Sequence, residues 1–331
     1  MEKIYLVTGA NGHLGSTIIN LLLKEKKNIR AFVLENDVLH LDKKVEIIRG
    51  NITDKKSIYP LFKDLENKEV IVIHCAGIVT IASKFDQKVY DVNVVGTKNI
   101  ADVALEYKVK KFIHVSSVHA IVEEKNKIIK EVDKFYPDKV EGLYAKTKAE
   151  ASNYILDMSK KGLNAIVVHP SGIIGPGNYG KGHLSQLIID YLNNRLTAIV
   201  KGGYDFVDVR DVADGILKAI EKGRVGECYI LSNRYFEIKE IINLLHEVTN
   251  HKPIKTILPN WFAKLTAPIA ELYYKILKQP PLYTSYSIYT LSTNSHFSHE
   301  KATKEIDYNP RDMKETLKDT VDWLKKIGRI K

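Results

Sequence analysis

Cysteine is nearly missing from this chain: Cys75 and Cys228 are the only two in 331 residues. Two thiols make no disulfide framework and are too few for a structural zinc site. Met1 leads straight into an apolar strand, so no export signal is expected, and a reducing, cytoplasmic setting is. No run of 18 uncharged apolar residues occurs, so no membrane span is expected. No histidine or cysteine spacing points to a metal. Internal repeats and low-complexity tracts are also missing. The net charge is +10, but it is not patterned. Lysines alternate with glutamates, as in Lys24-Glu25-Lys26-Lys27 and Glu123-Glu124-Lys125. No basic stripe interleaved with aromatics appears, so no nucleic-acid partner is expected.

What is present is an ordinary globular composition, 44% hydrophobic and 27% charged, enough for one large domain with a lobe. Its organising stretch is Lys3 to Gly15. An apolar strand breaks into Gly9, Gly12 and Gly15, and a helical pattern follows with Ile18, Ile19, Leu22 and Leu23. Strand, tight turn and helix N-terminus together hold a pyrophosphate through backbone N–H groups. Asn11, His13 and Leu14 lie within the same turn. Further strands are expected at 29–34, 45–52, 69–77, 111–117, 164–170 and 228–231. Helices are expected at about 54–64, 86–107, 143–160 and 211–222. Strands alternating with helices predict an α/β fold: a doubly wound parallel Rossmann sheet of about seven strands. Residues 1–170, with 204–232 returning, would form the dinucleotide domain. A smaller substrate lobe would take 171–203 and 233–331, opening with a glycine-rich loop at Ser171 to Asn178.

In such sheets ligands bind at the carboxyl ends of the strands. Gly9 to Gly15, Glu35, Asn51 and Ile52, Cys75-Ala76-Gly77, Ser117 and Pro170 all fall at those ends and should converge on one crevice. Glu35 lies twenty positions after Gly15, a spacing that suits a carboxylate on the adenosine ribose. Its charge would repel a 2′-phosphate and favours NAD over NADP.

Tyr144 and Lys148 stand four apart at the start of a helix and share a face. A phenol with its usual pKa of about 10 is a poor base at neutral pH. An ammonium about 4 Å away would favour the phenolate by up to roughly 4 kcal/mol, enough to bring it into catalytic range. Ser117, at a neighbouring strand end, would hold the substrate oxygen.

The glycine triplet, Asn93-Val94-Val95-Gly96-Thr97, Ser117 and Tyr144-x-x-x-Lys148, in this order, resemble the extended short-chain dehydrogenase/reductases. The likeness covers essentially the whole chain. It is closest to the dihydroflavonol-reductase-like and 3β-hydroxysteroid-dehydrogenase-like group. Phe206 to Ala213, Gly226 to Leu231, and Tyr308-x-Pro310-Arg311 with Trp323 support that placing. The resemblance implies NAD(P) as cofactor and a small-molecule substrate. Tyr144 would be the general acid/base, and Lys148 would bind the nicotinamide ribose. Ser117 rather than Ser116 would be the catalytic hydroxyl. Asn51 and Ile52 would meet the adenine, although the family commonly has aspartate at the first of these. Pro170 would border the nicotinamide. Asn93 would lie near the cofactor or be purely structural. The helices at 86–107 and 143–160 resemble the family's dimer-forming pair.

Departures from the pattern narrow the reaction. Leu34 stands where many reductases of the group carry an arginine for NADP, though Arg30 or Lys43 is within possible reach. Nucleotide-sugar dehydratases follow the catalytic hydroxyl with Asp-Glu; here Val118-His119 follows Ser117. Epimerases place an asparagine near the loop after the sixth strand, where only Asn178 is close. A carbonyl–alcohol oxidoreductase is therefore expected first. A sugar or nucleotide-sugar epimerase with tightly held NAD comes second, and a non-catalytic redox-sensing protein third. His119 and His183 are candidate pocket residues, and His74 reads as core. Trp261 to Leu277 is amphipathic and fits a helix packed on its own lobe better than a membrane-surface anchor.

Overall fold

The computed structural model describes residues 1–80, 84–124, 126–180, 182–259, 261–263, 265–267, 288, 290–291 and 293–330, with the backbone alone at 183. The chain enters the sheet at its middle. β1 (Glu2–Thr8) pairs in parallel with β2 (Asn28–Val33), and β2 with β3 (Glu46–Arg49). The chain then crosses to the other side of β1. There β4 (Lys68–His74), β5 (Lys111–Val115), β6 (Ala165–Pro170) and β10 (Cys228–Leu231) follow in turn, all parallel. The seven-stranded order is β10-β6-β5-β4-β1-β2-β3. The direction of winding reverses between β1 and β4, and there the two sets of crossover helices leave a crevice beyond the strand ends. The expected doubly wound parallel sheet is the fold of this chain.

Alternate residues of each strand feed opposite layers. Leu6, Val72, Phe112 and Val167 pack with Ile100, Ala104, Ala149 and Ile155. These last four lie on α4 (Gly96–Glu106) and α5 (Leu143–Lys160). Val7, Ile73, Ile113 and Val168 pack the other way, with Ile18, Ile19, Val212 and Ile216 of α1 (His13–Lys24) and α7 (Val209–Lys222). Burial on both faces is why these strands read as continuous apolar runs.

Several expected elements are modified. The helix expected at 54–64 is α2 (Lys55–Ile58) followed by a 3-10 turn, Tyr59–Phe62. Pro60, which lacks an N–H, sits at the start of that turn. The helix expected at 86–107 runs from α3 (Gln87–Tyr90) through a π turn, Asp91–Val95, into α4. The loop expected after β6 contains β7 (Gly172–Ile174). β7 pairs with β9 (Gly203–Asp208), and β9 with β11 (Arg234–Glu237), so 203–208 lies in a separate three-stranded sheet. A Cβ at Gly172 would come within 2.9 Å of the Phe206 ring; glycine there allows the close pairing. β8 (Ile199–Val200) pairs with β12 (Ile257–Leu258). The second layer of helices includes α6 (His183–Leu192), α8 (Ile238–Thr249), α9 (Glu300–Ile306) and α10 (Met313–Lys326).

Of the amphipathic stretch, 261–263 and 265–267 are helical, with Ala263 and Ala267 buried and Trp261 and Leu265 exposed. Lys264, Ile269, Leu272, Tyr273, Lys275, Ile276, Lys278 and Pro280-Pro281 lie outside the described residues. Among the described residues no helix is long and apolar enough to cross a membrane.

Candidate active site

The crevice floor is the turn between β1 and α1. Gly9 has φ +63°, and a Cβ there would stand 2.6 Å from the Ala76 nitrogen. Glycine is therefore required both by conformation and by the approach of the β4 end. The missing side chain of Gly15 faces the turn itself, since a Cβ would lie 2.2 Å from the Gly9 carbonyl oxygen. No side chain caps α1 at Gly12. The first N–H groups of the helix are left for an anionic ligand, aided by the helix dipole. The turn therefore fits a dinucleotide pyrophosphate.

The Asn11 and His13 side chains tie the turn to neighbouring loops. Asn11 Nδ2 donates to the Val38 carbonyl (2.9 Å), and its Oδ1 accepts from the His40 N–H (3.1 Å). His13 Nε2 donates to the Pro176 carbonyl at 3.0 Å, and burial lowers its pKa. Leu14 is buried in the core beneath α1.

Lys148 of α5 stands beside the β4 end of the crevice. It is buried, and its ammonium donates to the Val115 carbonyl at 2.8 Å. Burial is the first cause that pulls its pKa down, to about 8. The ammonium also stands against Gly77, where a Cβ would meet both Nζ and the Asn93 Oδ1 at 3.3 Å. Asn93, in the π turn, fastens this corner. Its Oδ1 accepts from the Ile78 N–H (2.7 Å), while its Nδ2 donates to the Ile78 carbonyl (3.0 Å) and to Thr147 Oγ1 (3.1 Å). A π turn widens the helix locally and is often found at functional sites; here it brings Asn93 between the β4 end and α5. Cys75 is half-buried, and its thiol is pushed up to about 12 by burial, so it is no thiolate at neutral pH.

The two serines at the end of β5 separate cleanly. Ser116 points into the core and shares a 2.7 Å hydrogen bond with Ser152. Ser117, also buried, caps the 3-10 turn Val118–Ala120 by accepting from the His119 N–H at 3.3 Å. His119 then leads to Tyr144, whose ring it meets edge-on with centroids 6.2 Å apart. The other face of His119 stacks on Tyr204, and its Nε2 lies 2.9 Å from the Tyr204 hydroxyl. Burial lowers the His119 pKa to about 4, so the ring is neutral. A cavity of about 860 Å³ opens beyond it, lined by His119, Glu123, Lys139, Val140, Tyr235 and His296 among others. It does not include the glycine turn. Among the three residues Tyr144, Lys148 and His119, His119 lines the cavity, while Lys148 stands against Gly77 at the β4 end.

A nucleotide cradle at a topological switch point, with tyrosine and lysine one turn apart beside it, is matched by the comparison with known families. The model for "NAD dependent epimerase/dehydratase family" matches residues 5–232, more than half of the chain. The chain belongs to the NAD-dependent epimerase/dehydratase family. Within it the chain falls in the extended short-chain dehydrogenase/reductase group. It is 29% identical to sterol demethylase protein B of Methylococcus capsulatus, covering 98% of this chain and 99% of that one. It is 25% identical to a 4-hydroxy-2-methyl-3-oxo-4-farnesyl-3,4-dihydroquinoline-1-oxide ketoreductase of Stigmatella aurantiaca, over 97% and 96% of the two chains. The crystal structure of the UDP-glucose 4-epimerase of Thermotoga maritima superposes with a TM-score of 0.78 over 98% of this chain and 99% of that one. At 21% identity that likeness speaks for the fold alone.

One end of the crevice brings several of the expected residues together. Gly9, Gly12, Gly15, Cys75, Ala76, Gly77, Asn93 and Lys148 surround one end of the crevice, and Pro170 ends β6 beside Leu231 of β10. Glu35 is exposed at the β2 end, as is Leu34. Asn51 is exposed, its Oδ1 accepting from the Thr53 N–H, while Ile52 is buried against the Gly96 backbone. Arg30 does not reach the cofactor side. It is buried, donating to the Leu61 and Lys63 carbonyls and paired with Glu46. The arginine at this edge is Arg49, which donates to the Leu34 (2.9 Å) and Glu35 (2.6 Å) carbonyls. Pairing the β2 and β3 ends, where Val33 is opposite Arg49, was the signal that could have found it. His74 is core, as read: Nδ1 lies 2.7 Å from Thr8 Oγ1 and Nε2 2.9 Å from Thr97 Oγ1. The His183 side chain lies outside the described residues. Tyr204, to which the sequence assigned no role, is the residue that sequence reasoning missed. Nothing in its neighbours marks it, because its contact with His119 spans 85 positions.

Proposed function

We propose that this family member is an NAD-dependent oxidoreductase interconverting a carbonyl and an alcohol, with Tyr144 as general acid/base. The observation that carries the reading is the buried Lys148 ammonium. It is held on the Val115 carbonyl at the crevice, one helical turn from Tyr144. A cation so placed favours the phenolate and lets the hydroxyl give or take a proton near neutral pH. Ser117 holds the substrate oxygen in place. When bound, NAD supplies or accepts the hydride. Gly9, Gly12 and the first turn of α1 would hold its pyrophosphate, Lys148 a ribose, and Pro170 would border the reacting ring. Glu35 favours NAD by repelling a 2′-phosphate, and Arg49 is occupied by backbone carbonyls. The substrate enters through the 860 Å³ cavity, a size suited to a bulky molecule. Two relatives named for a sterol and for a farnesylated ring ketone support that size class.

Two alternatives have less support. Dehydration needs an acid and a base after Ser117, and the chain places Val118 and His119 there. For a nucleotide-sugar epimerase, the nearest asparagine is Asn178. It is turned into its own loop, accepting from the Gly180 N–H and donating to Ser185. A non-catalytic role would leave the tyrosine–lysine pair without purpose. The helix pair α4 and α5 is the surface on which a homodimer would form.

The test is direct. Purified protein is screened for bound NAD(H) and NADP(H), then for turnover of carbonyl panels with the preferred cofactor. Tyr144→Phe should lower kcat by about 10²- to 10⁴-fold with cofactor affinity unchanged. Unaltered turnover removes Tyr144 from the mechanism, and substrate isomerisation without net redox change would favour the epimerase.

A further inference from the structure

His119 and Tyr204 form a pair that the family's glycine turn and Tyr144–Lys148 motif do not account for. They belong to different regions, a 3-10 turn after β5 and strand β9, and meet at the junction of cavity and acid/base residue. His119 is stacked on Tyr204 at 5.5 Å and edge-on to Tyr144 at 6.2 Å. Its ring has no freedom to turn away from the cavity without losing both contacts. The Tyr204 hydroxyl lies 2.9 Å from Nε2. With the phenol, the stronger acid of the two, donating to Nε2, the neutral imidazole would carry its hydrogen on Nδ1. Nδ1 has no hydrogen-bond partner among the described residues. It is also not one of the sealed, unpartnered nitrogens, as both ring nitrogens of His114 are. His119 itself belongs to the cavity wall.

We propose that His119 is a specificity-determining residue whose Nδ1–H, set by Tyr204, donates a hydrogen bond to a second oxygen of the substrate near the reacting carbon. The substrate class is thus a bulky ketone or alcohol with a neighbouring hydroxyl or carbonyl, rather than an isolated ketone. A substrate lacking that oxygen leaves the donor desolvated and unpaired, which is how such sites discriminate. Burial keeps the ring neutral, so the donor is a dipole and not a charge. It would hold a neutral oxygen without the strong preference for a carboxylate that a cation would bring. The proposal rests on the reading of Tyr144 as the proton-transferring group.

The probes are a matched pair, 1-decalone and 2-hydroxy-1-decalone, differing by one oxygen. With NADH, wild-type protein should prefer the hydroxylated ketone by about tenfold or more in kcat/KM. His119→Phe and Tyr204→Phe should each bring the ratio to near parity, through the KM of the hydroxylated ketone rather than its kcat. An unchanged ratio in both variants overturns the proposal. Nitrogen-15 NMR of the free protein, with His119→Gln to assign the ring, should show hydrogen on Nδ1, and the signal should move with the hydroxyketone and not with 1-decalone. Hydrogen on Nε2, or a signal that neither ketone moves, also overturns it. If wild-type protein reduces neither ketone, the oxidoreductase reading loses its support, while the NMR result still decides the role of His119.

Discussion

At Lys148 burial and function pull in opposite directions. An ammonium removed from water prefers to lose its proton, and its pKa falls to about 8 from 10.5. Between those values the unfolded chain holds a proton that the folded chain lacks. The cost of burying the charge is therefore complete below pH 8, about 3 kcal/mol by linkage, and is relieved as pH rises from 8 to 10.5. Lys148→Met should stabilise the fold at pH 7 by about 1–2 kcal/mol, the loss of the Val115 hydrogen bond offsetting part of the gain. Turnover should be lost. Denaturant midpoints and steady-state rates measure the two together, and a destabilised, active variant would contradict both. Glu35 carries a second prediction at this scale. Glu35→Arg should change an affinity ratio that favours NADH over NADPH by about tenfold into one that favours NADPH, read by calorimetric titration. A wild-type preference for NADPH would show that Arg49, not Glu35, sets the choice. The neighbouring serines differ by direction alone. Ser116→Ala should cost stability by removing its buried hydrogen bond to Ser152, whereas Ser117→Ala should cost turnover.

Among the elements, α1 and the π turn do the positioning. The N-terminus of α1 is pressed so close to its own preceding turn that a methyl group at Gly15 has nowhere to go, with a carbonyl oxygen at 2.2 Å. Gly15→Ala should move α1 off the turn, lowering NAD affinity at least tenfold and stability by about 2 kcal/mol or more. Retained affinity would mean the turn absorbs the shift. The π turn explains why a helix read from sequence as one uninterrupted run serves the site. Its extra residue sets the three Asn93 bonds that join the loop after β4 to α5. Asn93→Leu should loosen Gly77 and Lys148 together, so that KM for NAD rises along with loss of kcat.

Over the whole molecule, buried histidines set the acid limit. His74 is held to about 3, His119 and His169 to about 4, and His114 well below its ordinary value, each chiefly by burial. Unfolded, each takes a proton below about pH 6.5. Asp205 works in the opposite sense. Its carboxyl is raised to about 7 by burial, so the folded state holds one proton that the unfolded state gives up above pH 3.8. Near pH 5 unfolding therefore takes up about three protons net, a slope of about 4 kcal/mol per pH unit. Stability should be intact above pH 6.5 and fall steeply below it, measured by urea denaturation at stepped pH. A shallow loss confined to below pH 4 would mean that the histidines are hydrated in the fold.

The parallel sheet, its strand order of use and the glycine turn were legible because they rest on local rules: apolar runs, helical spacing, and glycine where a Cβ cannot fit. Tyr144 and Lys148 were legible for the same reason, since one helical turn separates them. Asn93 was recognisable as a residue but not as a clamp, because its partners Ile78 and Thr147 come from two other segments. Arg30, readable as a reserve cofactor ligand, is turned the other way by its position on the strand and held by Leu61 and Lys63. The pairing of His119 with Tyr204, the cavity wall and the separate sheet of β7, β9 and β11 have no local signature. They arise where segments far apart in the chain are packed against one another, and only the tertiary structure sets those distances.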